Sequence, residues 1–323
     1  MRGGGPAARG GPYTPGSMSR HLLQLEGLSA TELTELLDRA EAFLPVATRV
    51  DPPLGLLRGK LVANLFFEDS TRTRLSFEAA TARLGGQSLV LQGGGSSTSK
   101  GESFLDTGLN VEALGVDAIV VRTSISGGPQ LLAHHVACPV VNAGDGRHEH
   151  PTQGLLDCLT IRRALGGIQG ATVAIVGDIA NSRVARSALH ALTTLGATVR
   201  LVGPPTLLPR SFRSVARCAD RVTITHDLDS ILGDLDAIMM LRVQLERAAG
   251  SGVASDYRLH YGLTQERASR LPARCIVMHP GPVNRGVEVD DDVADDARRS
   301  QILTQVTHGV AVRMAVLACC MGS

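Results

Sequence analysis

Short apolar segments alternate with segments of helical periodicity along most of this chain. The segments LVANLF, QSLVLQ and ATVAIV have the length and composition of buried strands. After the first and the third, a polar turn leads into a stretch whose apolar residues recur every three or four positions, as between Ser70 and Gly85. Strands that alternate with helices pair in parallel, because each helix carries the chain back to the starting edge of the sheet. The sequence therefore predicts an α/β fold.

Two mostly parallel sheets flanked by helices are predicted, with the domain boundary near His150–Pro151. The first would contain LVANLF, QSLVLQ, DAIVVR and CPVVNAG, and the second ATVAIVGD, ATVRLVG, VTITHD, LDAIMMLRVQ and RCIVMHP. Ser29, followed three positions later by Glu32, is a capping-box signature and predicts a helix at the start of the fold. A last helix is predicted from about Arg298 to Cys320. Residues 1–17 have the composition of an expression tag or a disordered tail.

Charge and cysteine content limit the classes of partner. The 32 Lys and Arg residues nearly balance 31 Asp and Glu residues, so no overall positive field attracts nucleic acid or an anionic membrane. Any acidic ligand must therefore be bound by cations placed locally. The six cysteines are scattered without C-x-x-C spacing, which favours reduced thiols in the cytoplasm. No apolar run is expected to reach the roughly 18 residues of a membrane-spanning helix, and no signal-peptide pattern is seen.

The densest group of polar residues is S-T-R-T-R, which runs from Ser70 to Arg74 between a strand and a helix. Peptide N–H groups, hydroxyls and a guanidinium converge at such a position, and these are the donors that a phosphate needs. The alternative is a helix cap with solvated arginines, which is the ordinary interpretation of an isolated S-T-R. Five consecutive polar donors after an apolar strand favour the anion site.

His150 and Gln153 lie three positions apart at a predicted helix start, so both project from one face. A neutral imidazole or an amide there can donate a hydrogen bond to a carbonyl oxygen. Capping by His150 and a solvated Gln153 is the alternative, and these two residues alone favour it. A metal cluster of Asp145, His148 and His150 is a third interpretation, but no other motif completes it. We therefore expect no metal.

Three further polar residues follow the strands of the second sheet. V-G-D before Arg183 resembles a dinucleotide-binding turn but lacks G-x-G-x-x-G, so we expect no nicotinamide cofactor. Arg183, Arg242 and Gln244 could bind a carboxylate if they converge, although each arginine alone is more often solvated.

Lys100, in the glycine-flanked SSTSKGES loop, is either a mobile anion-binding group or part of a surface turn.

Taken together, these motifs resemble the aspartate/ornithine carbamoyltransferase family. The matching stretches include FFEDSTRTRLSFE, SKGES, VVRTS, NAGDGRHEHPTQGLLD, MMLRVQLER and HPGPVNRGVE, which span most of the chain. The resemblance implies a carbamoyl phosphate domain of residues 18–150 and 298–323, to which the last helix returns, and an aspartate-binding domain of residues 151–297. It also implies a homotrimer with active sites between subunits, and it allows for regulatory or dihydroorotase-type partner chains.

The resemblance implies a role for each matching residue. Thr73, Arg122 and His150 would polarise the carbamoyl oxygen, and Arg72 would neutralise the leaving phosphate. Carbamoyl phosphate would be bound by Ser70, Thr71, Arg72, Thr73, Ser96, Lys100, Arg122, His150 and Gln153. Aspartate would be bound by Lys100, Arg122, Arg183, Arg242, Gln244, Gly281 and Pro282. Ser96 and Lys100 would reach in from a neighbouring subunit, and Lys100 would join Arg72, Thr73, Arg122 and His150 in catalysis.

The implied reaction is transfer of the carbamoyl group of carbamoyl phosphate to the amine of L-aspartate. The products would be N-carbamoyl-L-aspartate and phosphate, in de novo pyrimidine biosynthesis, with no cofactor or covalent intermediate. The alternatives are ornithine or another amino acid as acceptor, or an inactive scaffold. The intact Arg72, Arg122, His150 and Arg183 argue against a scaffold.

Aspartate is the expected acceptor because of two sequence features. The ornithine branch carries H-C-L-P where this chain has H-P-G-P at residues 279–282, and it lacks the Lys100 loop. Two positions depart from the family pattern. Some members have a larger residue in place of Gly281, and some have a second lysine in place of Ser99.

Overall fold

A computed structural model of the chain describes residues 20–48, 54–92, 102–243 and 252–322. Four parallel strands form the first sheet: β1 (Leu61–Phe66), β2 (Gln87–Gln92), β3 (Ala118–Thr123) and β4 (Val140–Asp145), in the order β2-β1-β3-β4. The helices of this half are α1 (Ala30–Ala47), α2 (Thr71–Arg83), α3 (Phe104–Ala113) and α4 (Gly128–His135). All four predicted strands of this sheet are confirmed.

The second sheet has five parallel strands. They are β5 (Thr172–Val176), β6 (Thr198–Val202), β7 (Val222–Thr225), β8 (Ala237–Met240) and β9 (Ile276–Met278), in the order β7-β6-β5-β8-β9. The helices are α5 (Pro151–Leu165), α6 (Arg183–Thr194), α7 (Gly252–Tyr261), α8 (Gln265–Ser269) and α9 (Asp291–Ala294). The α/β fold with two parallel sheets is confirmed, whereas the sequence analysis missed α3, α7, α8 and α9.

Local signals explain where two helices begin and end. Ser29 Oγ accepts a hydrogen bond from the Glu32 N–H at 3.2 Å, and the Glu32 carboxylate accepts one from the Ser29 N–H at 2.8 Å. This is the predicted capping box of α1. Pro151 opens α5, and Gly166 ends it with φ at +79°, a conformation that glycine adopts without strain. His150 is thereby fixed as the residue that immediately precedes α5.

The last helix, α10 (Ile302–Cys320), begins four residues later than predicted because the preceding segment pairs with β9. The Val277 N–H donates to the Arg299 carbonyl, and the Gln301 N–H donates to the Val277 carbonyl, so these residues are held beside the second sheet. From there α10 packs against α1, α2 and α5. The expected return of the last helix to the first half of the chain is confirmed.

Within the described residues, α10 is the one helix long and apolar enough to cross a membrane by length and composition. The expectation that no segment reaches this length was therefore wrong. Most of α10 is buried inside the protein, and the core helix of a globular protein passes the same test. The buried polar residues Gln305, His308 and Arg313 face the protein interior, which agrees with a core helix.

Candidate active site

The carboxyl ends of the strands in both sheets surround one cavity of 990 Å³. The segments that leave β1, β3 and β4 contribute one wall, those that leave β5, β8 and β9 contribute the other, and the first turns of α10 complete it. Ligands of parallel α/β proteins bind at this end of the strands, because the loops and helix N-termini there present polar groups. The fold therefore positions the cavity as a ligand site.

Most residues predicted from the sequence line this cavity. They are Ser70, Thr71, Arg72, Thr73, Arg122, His150, Gln153, Arg183, Arg242, Gly281 and Pro282. Ser96, Lys100 and Gln244, together with Ser99, lie outside the described residues. The structure thus brings together residues from both sheets, which the sequence could not demonstrate, while their individual roles remain predictions.

The S-T-R-T-R segment forms the start of α2, directly after β1. Ser70 occupies the N-cap position, but its side chain makes no capping hydrogen bond. Its hydroxyl therefore remains available to a ligand, unlike that of Ser29, which caps α1. Arg72 belongs to the first turn of this helix, and burial lowers the pKa of its guanidinium. An anion placed here would meet a helix N-terminus and a guanidinium together.

Gly281 gives Arg72 the space it occupies. A Cβ atom on Gly281 would lie 2.8 Å from Arg72 Cζ, and φ at this residue is +71°, which side-chain-bearing residues rarely adopt. The Gly281 N–H donates to His279 Nδ1 at 2.8 Å, which holds the turn in place. The departure from the family pattern at this position therefore coincides with close approach of the turn to Arg72.

Arg122, on β3, connects the α2 side of the cavity to a carboxylate that the sequence analysis missed. Its Nη1 donates to Thr73 Oγ1 at 3.4 Å, and its Nε lies 3.6 Å from Glu68 Oε2. Burial, reinforced by the nearby Arg183, lowers the pKa of Arg122 to about 9, so it remains a cation at neutral pH. Arg122 and Thr73 therefore form a polar pair at one side of the cavity.

Glu68 also contacts the second half of the protein. Arg183 Nη1 lies 2.9 Å from Glu68 Oε2 and donates to the Gly146 carbonyl at 3.3 Å. Glu68 thus pairs with one arginine from each half of the protein, Arg122 on β3 and Arg183 at the start of α6. A carboxylate beside two expected anion sites was not predicted, and its only sequence signal is its place at the end of β1, two residues before Ser70.

His150 is buried, with 4% of its surface exposed. Its backbone N–H donates to Ser187 Oγ at 2.8 Å, and the Ser187 hydroxyl donates to the Glu149 carboxylate at 2.8 Å. The ring Nδ1 makes no hydrogen bond within the described part of the chain. Burial, and then the charges of Arg122 and Arg183, hold the pKa of His150 well below its ordinary value, so the ring is neutral. The cap interpretation is wrong, since the His150 side chain makes no capping bond.

We expect His150 to show no titration between about pH 5 and 8, the range in which an ordinary histidine titrates. Since the folded protein does not bind this proton and the unfolded chain does, His150 should lower the free energy of unfolding as the pH falls below 6.5. Histidine NMR resonances test this, with His148 as internal control. The Asp145 carboxylate, 3.0 Å away, raises the pKa of His148 above 6.5. A His150 midpoint close to that of His148 would contradict the assignment of a neutral ring.

Gln153 belongs to a buried hydrogen-bond chain that the sequence analysis did not predict. Gln153 Nε2 donates to Asp157 Oδ1 at 3.0 Å, and Gln305 Nε2 on α10 donates to the same oxygen at 2.8 Å. Gln305 Oε1 in turn accepts from the His279 N–H at 3.0 Å. Burial raises the pKa of Asp157 to about 7. These hydrogen bonds fix the Gln153 amide so that Gln153 Oε1 is left for a ligand. Gln153 is buried, so the interpretation of a solvated Gln153 was wrong.

The metal interpretation of Asp145, His148 and His150 is not supported by the described residues. Asp145 and His148 form a pair, and His150 does not join it. The described residues instead bring ligand atoms of Glu26, Glu149 and His190 within 4.8 Å of one another. The oxygens of Glu149, however, already accept hydrogen bonds from two peptide N–H groups and from the Ser187 hydroxyl. This carboxylate therefore anchors the chain near residue 25.

Two parallel sheets whose carboxyl ends enclose an arginine-lined cavity define a two-domain α/β enzyme that acts on anionic substrates. Comparison with known proteins identifies the family. The model of the aspartate/ornithine carbamoyltransferase carbamoyl-P binding domain matches residues 20–163, and that of the Asp/Orn binding domain matches residues 169–320. The chain belongs to the aspartate/ornithine carbamoyltransferase family.

Individual relatives agree with this assignment. The aspartate carbamoyltransferase catalytic subunit of Myxococcus xanthus is 54% identical over 303 residues, which cover 93% of this chain and 99% of that protein. A crystal structure of Trypanosoma cruzi aspartate transcarbamoylase with carbamoyl aspartate and phosphate has a TM-score of 0.84 and 32% identity, covering 93% of this chain and 95% of that chain. Ornithine carbamoyltransferase from Pyrococcus furiosus has a TM-score of 0.83 and 31% identity, covering 94% and 97%.

Proposed function

We propose that this protein transfers the carbamoyl group of carbamoyl phosphate to the amine of L-aspartate. The observation that carries the proposal is the convergence of Arg72, Arg122, His150 and Arg183, from four different strand ends, on one cavity. Two anionic substrates need several local cations in a chain of net charge +1, and this cavity supplies them. High identity to an aspartate carbamoyltransferase catalytic subunit over nearly the whole chain supports the same reaction.

The first substrate is held on the α2 side. Arg72, the hydroxyls of Ser70 and Thr71, and the peptide N–H groups at the start of α2 bind the phosphate group of carbamoyl phosphate. Thr73, Arg122 and neutral His150 donate to the carbamoyl oxygen. Because Gln153 Nε2 is committed to Asp157, Gln153 Oε1 accepts from the carbamoyl NH₂ group.

The chemical step follows from this placement. Arg183 and Arg242, with Gln244, bind the carboxylates of aspartate, and its neutral amine attacks the carbamoyl carbon. As the C–N bond forms, negative charge develops on the carbamoyl oxygen, where the Thr73, Arg122 and His150 donors stabilise it. The C–O bond to phosphate then breaks, and the leaving phosphate takes the amine proton. Arg72 neutralises the charge on the phosphate as it leaves.

The acceptor is tested by product analysis with carbamoyl phosphate and either aspartate or ornithine. We expect N-carbamoyl-L-aspartate and phosphate with aspartate, and no citrulline with ornithine. The test is needed because an ornithine carbamoyltransferase shares this fold with a TM-score of 0.83. Turnover with ornithine alone would keep the phosphate site and reject the aspartate site. Turnover with neither would favour another amine acceptor or an inactive scaffold.

The proposal extends to domains and assembly. Residues 18–150 and 298–323 form the carbamoyl phosphate domain, and residues 151–297 form the aspartate domain. Packing of α10 on α1 and α2 supports this division.

The protein forms a homotrimer in which Ser96 and Lys100 complete a neighbour's site, and regulatory or dihydroorotase-type chains are candidate partners. Exposed apolar side chains of the first half support an interface: Leu75, Leu89, Val90, Leu109, Leu114 and Leu131. Six free cysteines support a cytoplasmic location, where the carbamoylated product would enter pyrimidine synthesis.

A further inference from the structure

Glu288 is a fully buried carboxylate between β9 and α9. It does not line the active-site cavity, although the segment that leads to it does. No lysine or arginine among the described residues pairs with it, and His279 Nε2 lies 3.8 Å from its Oε2, too far for a hydrogen bond. Burial of a carboxylate without a cationic partner is unfavourable unless hydrogen-bond donors surround it. The donors around Glu288 therefore indicate its role.

Glu288 accepts hydrogen bonds from three N–H groups. Its Oε1 accepts from the Val243 N–H at 2.9 Å and from Asn284 Nδ2 at 2.7 Å, and its Oε2 accepts from the Asn284 N–H at 2.7 Å. Asn284 Nδ2 also donates to the Val243 carbonyl at 3.2 Å. The N–H and the carbonyl of Val243 are therefore both held by these two side chains, which we call the Glu288–Asn284 pair.

Val243 needs this pairing because the sheet ends before it. Strand β8 ends at Met240, and its last pairing with β9 joins Met239 to Met278. Val243 is nevertheless buried, with 3% of its surface exposed. A buried peptide group without a hydrogen-bond partner is unfavourable. The Glu288–Asn284 pair thus replaces the neighbouring strand that Val243 lacks.

The chain turns sharply between Asn284 and Glu288, so that the two side chains meet. Gly286 lies in this turn with φ at +73°, a conformation that glycine adopts without strain. The N–H groups of Val287 and Glu288 donate to the Asn284 carbonyl at 3.1 and 3.3 Å. Because these bonds lie within one short segment, the pair is a fixed support for Val243.

The segment that the pair holds carries two residues of the proposed aspartate site. Arg242 precedes Val243 and lines the cavity, and Gln244 follows Val243, outside the described residues. The turn at residues 281–282 also lines the cavity and lies just before the pair in the sequence. Small displacements of a binding group change its effect strongly. A shift of the Val243 peptide would therefore misplace both of its neighbours.

Glu288 does not act on a substrate directly. Both of its oxygens are bonded to the protein, and it lies outside the cavity lining. A carboxylate that faced aspartate would also repel the two carboxylates of that substrate. Any effect of Glu288 on the acceptor must therefore pass through Val243.

We propose that Glu288, together with Asn284, is a positioning residue of the acceptor site. The pair fixes the Val243 peptide and thereby directs Arg242 and Gln244 toward the carboxylates of aspartate. This inference rests on the proposed function for the identity of the acceptor.

The test compares Glu288→Gln, Asn284→Ala and the wild type in saturation curves for aspartate and in calorimetric titrations with inorganic phosphate. Glu288→Gln keeps the size of the side chain but turns an NH₂ group toward one of the N–H donors. We expect the KM for aspartate to rise about 10-fold in Glu288→Gln and about 3-fold in Asn284→Ala, which loses only its side-chain bonds. Because binding of the acceptor is what changes, kcat should stay within about twofold of the wild type. Phosphate affinity should not change.

Asp236→Asn is the matched control. Asp236 lies at the opposite end of β8, where its Oδ2 accepts from the Thr172 N–H at 2.9 Å and its Oδ1 pairs with Arg274. It is a buried carboxylate that holds a peptide N–H of the same sheet, but it does not line the cavity. Both Asp236→Asn and Glu288→Gln should lower the Tm, whereas only Glu288→Gln should raise the KM for aspartate.

An unchanged KM for aspartate in either Glu288→Gln or Asn284→Ala would overturn the inference, as would an equal rise in Asp236→Asn or a parallel loss of phosphate affinity. Asn284→Ala keeps the bond between Glu288 and the Val243 N–H, so it decides the question if Glu288→Gln does not fold. If the wild type forms N-carbamoyl-L-aspartate and the variants keep its KM, only this inference fails. If the wild type carbamoylates a different amino acid, whose KM rises in Glu288→Gln, only the proposed function fails. Transfer to no acceptor would overturn both.

Discussion

Replacement of Arg72 by alanine is expected to lower kcat by about 10²–10³-fold, the loss typical when one donor that stabilises transition-state charge is removed. Arg72 lies at the start of α2, where the phosphate of carbamoyl phosphate is proposed to bind and leave. Among the described residues Arg72 makes no hydrogen bond and no salt bridge to the protein. Its truncation therefore leaves no buried partner unsatisfied, and the free energy of unfolding should change by less than about 0.5 kcal/mol. Steady-state kinetics and thermal unfolding measure the two effects.

Arg74→Ala is the matched control for Arg72→Ala. Arg74 belongs to the same S-T-R-T-R segment, but its Nη1 is paired with Glu78 at 3.1 Å, one turn along α2. Loss of such a partly exposed pair costs about 0–1 kcal/mol of stability and should leave kcat within about twofold of the wild type. Retained turnover in Arg72→Ala, or equal losses in both variants, would reject the phosphate role of Arg72.

Much of the fold and part of the site could be predicted from patterns of residues that lie close together in the sequence. The five donors from Ser70 to Arg74 follow one apolar strand, and His150 and Gln153 are three residues apart, so local periodicity already places each group at a strand end or a helix start. The capping box of Ser29 and Glu32 likewise depends on neighbours within one turn. Such features are visible in sequence because the chain itself brings their members together.

The residues that the sequence analysis missed depend on long-range contacts. Gln305 and Asp157 are 148 positions apart, and only the packing of α10 on α5 brings them within hydrogen-bond distance. The role of Glu68 could not be predicted because its salt-bridge partner Arg183 lies at the start of α6, in the second half of the protein. In the sequence Arg313 is one of several polar residues in an apolar helix, and only the structure shows that it lines the cavity. None of these relationships produces a local pattern, so no periodicity or motif could identify them.

The missed residues change the electrostatic description of the site. Glu68 balances part of the charge of Arg122 and Arg183, while Arg72 and Arg313 form no salt bridge within the described ranges. The cavity without ligand therefore carries excess positive charge in a buried setting, which raises the affinity for anions. A nearly neutral chain can thus bind two anionic substrates without an overall positive field.

Replacement of Arg183 by alanine is expected to raise the KM for aspartate about 10²-fold, because a carboxylate loses the hydrogen bonds of a charged guanidinium. Inorganic phosphate binding should change much less, since the proposed phosphate residues lie on the other wall of the cavity. Glu68 would keep its contact with Arg122, whose Nε lies 3.6 Å away, so the α2 side should remain intact.

Arg186→Ala, one turn further along α6, is the control for Arg183→Ala. Arg186 packs on Phe212 and lies outside the cavity, so its loss should leave the KM for aspartate unchanged. Saturation curves for aspartate, combined with phosphate titrations, separate the two walls of the site. An unchanged KM for aspartate in Arg183→Ala would remove Arg183 from the acceptor site. A parallel loss of phosphate affinity would instead mean that Arg183 acts on both substrates through Glu68, which pairs with it at 2.9 Å.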